Sequence, residues 1–385
     1  MKKTAIATLF FCSLYLCADA PPPPSRHGEV LDGNYAPAYN APSAVAVSHK
    51  VDGMGMSNLS FFADLAFTYW YLSEEGLKIA SNGVLNTATL AYPIKAHTFY
   101  PAFQYEPGFK IGVGMIDKDE WQYRVGYTWA HTHVGANKLN STPGGDLPAG
   151  TTTIAAGAAV FVSDDWFLQG SSGGQALAAS SISSHWNLTM NIVDITGGRP
   201  YYQGKRLILS PCGGLELAFI SQEMEVALSE FSAQIPLPSP QPIESHTNSQ
   251  SWGIGPTAGC ESKLLLPWDL YLEGKGAFSL LYTTYTTLKH SEDAAATNFN
   301  PGHYKLSHNN YHAMRPSASM ELGLGWGRYL GNSCCYADLA FTYEFSIYWA
   351  QNMMRKLLDD FLTGTAPAAA DLFTQGLSIT GSFNF

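Results

Sequence analysis

Few residues in this chain have the types and spacing that do chemistry. His131-Thr132-His133 sets two imidazoles on one side of an extended segment, the arrangement in which neighbouring ligands share an ion. Two ligands are too few for a metal site, so the pair reads as a polar rim at a strand end. Seven acids, Asp64, Glu216, Glu261, Glu273, Glu321, Asp338 and Glu344, sit in stretches where polar and apolar residues alternate. Hydrolytic chemistry needs such carboxylates together with a histidine, or a serine and a histidine, at one height. The parity that carries these acids holds almost no histidine, so no enzyme is expected. Cys212, Cys260, Cys334 and Cys335 include no CxxC and have no histidine at zinc spacing, which argues against a structural metal site or any other cofactor.

The elements that position these residues are strands. The chain has 385 residues, of which 14% are charged and 13% aromatic, against about 25% charged in a typical soluble domain. A membrane helix needs about 20 consecutive apolar residues, and beyond the N-terminus no such run exists. Residues 1–20 read as a signal peptide. Lys2 and Lys3 precede an apolar stretch from Ala5 to Leu16, which ends in Ala18-Asp19-Ala20. Pro21 makes cleavage after Ala20 imperfect, and Leu16 is too bulky for a good lipoprotein site at Cys17. The net charge of −10 argues against a nucleic-acid partner. Residues 21–57, rich in Pro, Ala, Gly and Asn, read as an irregular periplasmic leader, and 58–385 as the folded part.

From about Leu59 onward one parity is apolar and the other small, polar or charged. Trp121, Tyr123, Val125, Tyr127 and Trp129 oppose Gln122, Arg124, Gly126 and Thr128. Trp268, Leu270, Leu272, Phe278, Leu280 and Tyr282 oppose Asp269, Glu273, Lys275 and Ser279. A soluble sandwich alternates as well, but two features favour a membrane. Aromatics mark the ends of the apolar parity, as in the interfacial girdles of outer-membrane barrels. The opposite parity is glycine-rich and sets Glu261 beside Lys263 and Glu273 beside Lys275, which suits a wet lumen.

The pattern places strands at about 58–72, 107–116, 120–133, 182–195, 205–221, 250–265, 268–285, 314–328, 335–350 and 374–385. Short and long connections alternate between them, as short periplasmic turns and long external loops do in such barrels. The expected fold is therefore all-β, a transmembrane antiparallel β-barrel of ten strands in the bacterial outer membrane. Counts of 12 or 14 arise if the loops Ser73 to Glu106 and Val134 to Ser181 each hide a hairpin. The expected pore lining is Lys110, Arg124, Arg206, Glu216, Glu261, Lys263, Glu273, Lys275 and Glu321. The segment Gln351 to Leu362, with Met353, Met354, Leu357, Leu358 and Phe361 at helical spacing, reads as a short helix in the last external loop. It would either fold inward as a constriction, or cap the loop or pack on a neighbour. The last strand ends on an apolar parity that includes Phe383 and Phe385, the form of an assembly signal for the outer-membrane insertion machinery.

Several fragments resemble the Legionella-type major outer membrane protein family, whose members also occur among chlamydia-related bacteria. These are Pro107-Gly108-Phe109-Lys110-Ile111-Gly112-Val113-Gly114, Gly198-Arg199-Pro200-Tyr201-Tyr202, Leu209-Ser210-Pro211-Cys212-Gly213-Gly214-Leu215 and Gly253-Ile254-Gly255-Pro256-Thr257-Ala258-Gly259. With gaps at the loops the likeness runs from about Leu59 to Phe385. It implies an abundant surface barrel with porin activity and a structural role in the envelope, and it carries over no catalytic residue. Cys212 and the doubled Cys334-Cys335 depart from the family pattern.

The expected function is an outer-membrane, porin-like channel for passive diffusion of small polar solutes and ions. The alternative is a structural or adhesive surface barrel with little or no channel activity. Strand number bears on the choice, because roomy porin channels have about 16 or more strands and smaller barrels fill with side chains. Expected partners are outer-membrane lipid, the assembly machinery, further copies of the chain, and envelope proteins linked by disulfide. Cys334 and Cys335 suit that linkage because they fall at a periplasmic turn. Adjacent residues on an extended chain point apart, so the two do not bond each other.

Overall fold

The computed structural model describes residues 59–85, 93–140, 160–162, 166–167, 177–203, 206–232, 243–293, 303–330, 335–362 and 369–385. The expected signal peptide, the leader and Cys334 lie outside them. Ten long strands build the wall: β1 Leu59–Glu74, β2 Tyr105–Asp117, β3 Gln122–Asn140, β4 Leu177–Gly198 and β5 Leu207–Ser232. They continue as β6 Ile243–Leu265, β7 Leu270–Asp293, β8 Tyr311–Leu330, β9 Cys335–Asn352 and β10 Ala370–Asn384. Each pairs antiparallel with the next in sequence. β10 returns to β1 in the register Phe62↔Asn384 through Glu74↔Leu372, which closes the ring. Closure leaves no unpaired edge among the wall strands, as the lipid phase requires.

The expected count of ten holds, and the 12- and 14-strand alternatives fall. A hairpin does sit in the first long loop, Ala80–Leu85 with Pro93–Phe99. It attaches through Val160–Val162 to the outer end of β4 and so extends the wall instead of entering the ring. His303–His308 pairs likewise with the outer end of β7.

Within the membrane the pattern is inside out. Leu65, Phe67, Val113, Val125, Leu215, Phe278, Leu322, Phe341 and Leu377 point outward and are exposed, as a lipid-facing band must be. Past the outer aromatic girdle the pattern inverts. On β4 the inward residues Ile182, Trp186, Leu188 and Met190 are buried while His185 faces out, and on β5 the buried Met224 and Val226 alternate with Glu223 and Glu225. Several strands therefore run well past their expected ends, β5 to Ser232 where about residue 221 was expected. The apolar outward parity, which served as the sequence signal, stops at the lipid boundary, but the hydrogen-bonded ladder does not.

The apolar core fills the outer part of this tall barrel. Loop residues Leu77, Ile79, Trp166 and Phe167 pack there against Trp70, Leu72, Trp186, Leu188, Met190, Met224 and Val226 from the wall. Trp166 Nε1 donates to the carbonyl of Lys78 at 2.6 Å, joining two loops inside the ring. The last external loop carries the expected helix, α1, but it spans only Lys356–Leu362 because β9 runs on to Asn352. Met354 enters the same core, and Met353 and Leu357 pack against Tyr285 and Leu288 beside it. The segment thus packs both into the apolar core and on the neighbouring strand β7. Burying each such large side chain contributes about 1.5–3 kcal/mol, so the loops form a plug.

Candidate functional site: the lumen

Beneath the plug the inward parity is polar and encloses a cavity of ≈ 380 Å³. Its roof includes Trp70, Met190, Ile192 and Tyr348, and its lower end is bordered by Ile116, Gln122, Tyr336 and Asn384, near the short-turn end. Charges of both signs meet across it. Lys110 Nζ on β2 lies 2.5 Å from Glu344 Oε2 on β9 and 3.1 Å from Glu321 Oε1 on β8. Lys275 Nζ lies 2.6 Å from Glu273 Oε1 and 3.4 Å from Glu321 Oε2. Lys263 Nζ is 3.4 Å from Glu261 Oε1.

Arg124 donates to Asp64 through Nε at 3.1 Å and Nη2 at 2.7 Å, a two-pronged pair. A Cβ at Gly112 would run into the Asp64 carboxylate and Arg124 Nη2, so a larger residue there would shift this pair. Glu216 accepts from Ser279 Oγ, and at 3.4 Å from both Ser317 Oγ and Tyr348 OH, so β5 is tied to β7, β8 and β9. Tyr271 OH donates to Asp338 Oδ1 at 2.5 Å. Lys110 also sits 5.1 Å from the Trp70 ring centroid, a cation–π contact just below the plug. Each of the four cations has a carboxylate partner, whereas Glu216 and Asp338 are held by hydroxyl donors; a buried cation left unpaired would cost several kcal/mol.

Of the expected pore residues, Lys110, Arg124, Glu216, Glu261, Lys263, Lys275 and Glu321 line this cavity, as do Asp64, Asp338 and Glu344. Glu273 faces inward but is 3% exposed, bound by Lys275. Arg206 is a correction. β5 begins at Leu207, and Arg206 is exposed in the turn before it, where its carbonyl accepts from Leu265 N at 2.7 Å. The expected strand began near residue 205, two residues before the observed start. Sequence reasoning missed Asp194, which lines the cavity beside the Arg124 and Glu216 walls. Its signal was an acid on the inward parity of Ile192-Val193-Asp194-Ile195.

Cys212, Cys260 and Cys335 remain thiols. Cys212 faces Gly259 and Cys260 faces Pro211, so the first two lie on opposite faces of the wall, as expected. Cys335 opens β9 and pairs with Leu330 at the short-turn end. Phe383 and Phe385 point outward, and Phe385 exchanges backbone hydrogen bonds with Phe61 at 2.9 and 3.0 Å. His131 and His133 lie on the outer wall: His131 Nδ1 meets Thr189 Oγ1 at 3.0 Å and His133 meets Asn187 on β4.

A closed antiparallel ring with an apolar belt, an inward polar parity and short turns at one end defines an outer-membrane β-barrel protein. Residues 66–385 match the family described as Legionella pneumophila major outer membrane protein precursor. The chain belongs to that family, and its place is the bacterial outer membrane. No curated protein sequence matches it. Among solved structures, the outer membrane protease OmpT from Escherichia coli is similar at 9% identity and a TM-score of 0.35, over 85% of this chain and 96% of that one. A major outer membrane protein from Thermus thermophilus is similar at 12% identity and a TM-score of 0.25, over 85% and 99%. The Ralstonia pickettii toluene transporter TbuX gives 10% identity and a TM-score of 0.27, over 87% and 91%.

Proposed function

We propose that this barrel is a gated outer-membrane channel, which passes small polar solutes and ions through its charged lumen when the external plug is displaced. The observation that carries this reading is the two-part interior, a charged cavity of ≈ 380 Å³ under a lid of loop side chains. Lysine, arginine and carboxylate groups on opposing walls keep water in the bore and favour small polar cargo over apolar cargo. Passive diffusion of the porin kind then operates only in the open state. A structural or adhesive surface barrel is the second reading. It is favoured by the same plug and by the cross-lumen pairs, which brace the wall whether or not anything passes.

Reconstitution in planar bilayers separates the two. Wild-type barrel should give brief, infrequent single-channel steps. Met354→Ser with Leu77→Ser, which loosens the apolar lid, should give longer and more frequent ones. Silence from both proteins, each verified as folded by heat-modifiable migration on a gel, would exclude the channel and leave the structural reading.

A further inference from the structure

The outer wall above the apolar belt carries a group of metal-ligating side chains that the lumen does not use. On β5 the exposed Phe219 is the last large outward apolar residue before Glu223, and on β6 Trp252 holds the corresponding place. Above them the outward positions become Glu223 and Glu225 on β5 and Asn248 and His246 on β6. Register sets His246 directly beside Glu225, and Glu225 beside His185 of β4. Asn187, the next outward residue of β4, lies beside Glu223.

We infer that Glu223, Glu225 and His246 form a surface site for a divalent cation of the zinc class, on the outside of the barrel just above the lipid boundary. His246 Nε2 lies 3.2 Å from Glu223 Oε1, and His246 Nδ1 lies 3.3 Å from Glu225 Oε1. One ligand atom from each of the three falls within 4.8 Å of the others. A tetrahedral ion with bonds of about 2.0–2.2 Å separates its ligands by roughly 3.4 Å. Side chains this accessible close the difference by rotamer adjustment, while the backbone ladder holds their origins fixed.

Two carboxylates balance a dication's charge, and one imidazole favours a borderline metal over magnesium or calcium, which take six or more oxygens. The remaining coordination position faces water. Glu223 is also held from behind, since Asn187 Nδ2 donates to its Oε2 at 3.4 Å. Asn187 is in turn bonded to His133, whose ring stacks on His185 with centroids 5.9 Å apart. Asn187 thus acts as a positioning residue of the kind that orients ligands in established metal sites. The His131-Thr132-His133 motif, too small to be a site by itself, belongs to this patch.

Titration of Zn²⁺ into the full folded barrel in detergent micelles, followed by calorimetry, tests the assignment. One ion per barrel is expected. His246→Ala and the Glu223→Gln, Glu225→Gln pair should abolish binding, and Asn187→Ala should weaken it about 10- to 100-fold. His303→Ala, whose imidazole sits on Asp293 elsewhere on the surface, should leave it unchanged. All changes lie on the wetted wall, and heat-modifiable migration verifies each fold. Failure of the folded wild type to bind Zn²⁺, undiminished binding by His246→Ala, or equal affinity for Mg²⁺ would overturn the site.

Discussion

Lys110 Nζ on β2 and Glu344 Oε2 on β9 meet at 2.5 Å across the barrel, at a sequence separation of 234. β1 and β10 stand between these two strands in the ring. The pair therefore spans the lumen instead of following the wall, and with Glu321 it makes a three-way junction. Such a junction braces the ring from within at the height where a solute would have to pass.

Removing its cation should be costly. Lys110→Met leaves Glu344 without a cation and Glu321 with Lys275 alone, a loss of about 3–5 kcal/mol. Adding Glu344→Gln should recover part of it. Urea unfolding from lipid vesicles measures both, and strict additivity of the two changes would show that the pair is not coupled.

Leu322 tests the faces of the wall. It is 63% exposed on the outward side of β8, so Leu322→Arg should cost about 2–4 kcal/mol if it meets the bilayer midplane. Ser319 lines the cavity from the same strand. Ser319→Arg should fold into vesicles with a smaller loss and shift ion selectivity toward anions. Equal folding losses would contradict the assignment of faces.

Trp166 tests the plug. Its side chain is fully buried and its indole is bonded to the Lys78 carbonyl. Trp166→Ala should cost about 3–5 kcal/mol of local stability. Hydrogen exchange should quicken at Leu77, Ile79 and Val160–Val162 but not in the lower halves of β7 and β8. Uniform quickening around the ring would mean that plug and wall unfold together.

Phe385 stacks on Phe61 with ring centroids 6.5 Å apart. If the insertion machinery reads the last strand, deletion of Phe385 should lower the amount of heat-modifiable barrel in the outer membrane. Refolding of the purified chain in detergent should be much less affected. Unchanged insertion in cells would remove the assembly role.

Cys335 begins β9 at the short-turn end of the ring, the end that in such barrels faces the oxidising periplasm. Non-reducing electrophoresis of envelopes, alkylated at lysis, should show high-mass species that reductant dissolves and that Cys334→Ser with Cys335→Ser removes. A monomer band indifferent to reductant in every growth phase would exclude the linkage.

The ring was legible because lipid imposes a strict period of two. Trp121 to Trp129 and Phe373 to Phe385 each disclosed a face, a length and a girdle. Ten strands follow from such segments plus alternating gap lengths. The plug was not legible. Trp166 and Phe167 are isolated in sequence, and Ile182, Met190 and Met224 lie on the parity that is wet lower in the same wall. An inversion of solvent along one strand erases the signal on which the reading relied. The zinc-class site was hidden differently, because its three side chains come from two strands and gain their neighbours only through register.

The seam also bears on how fast this chain reaches its native state. Trp70 Nε1 donates to Ser378 Oγ at 3.3 Å over a separation of 308 residues. Nearly the whole polypeptide must be threaded and stitched before that contact can form. Loop-closure entropy is paid long before the contact repays it, so topology predicts slow folding. During that interval β1 and β10 each present a bare row of amide and carbonyl groups, a template for pairing with another chain. Dilution, or an escort that occupies one free edge, should therefore raise the yield of monomeric barrel more than any strengthening of the completed wall.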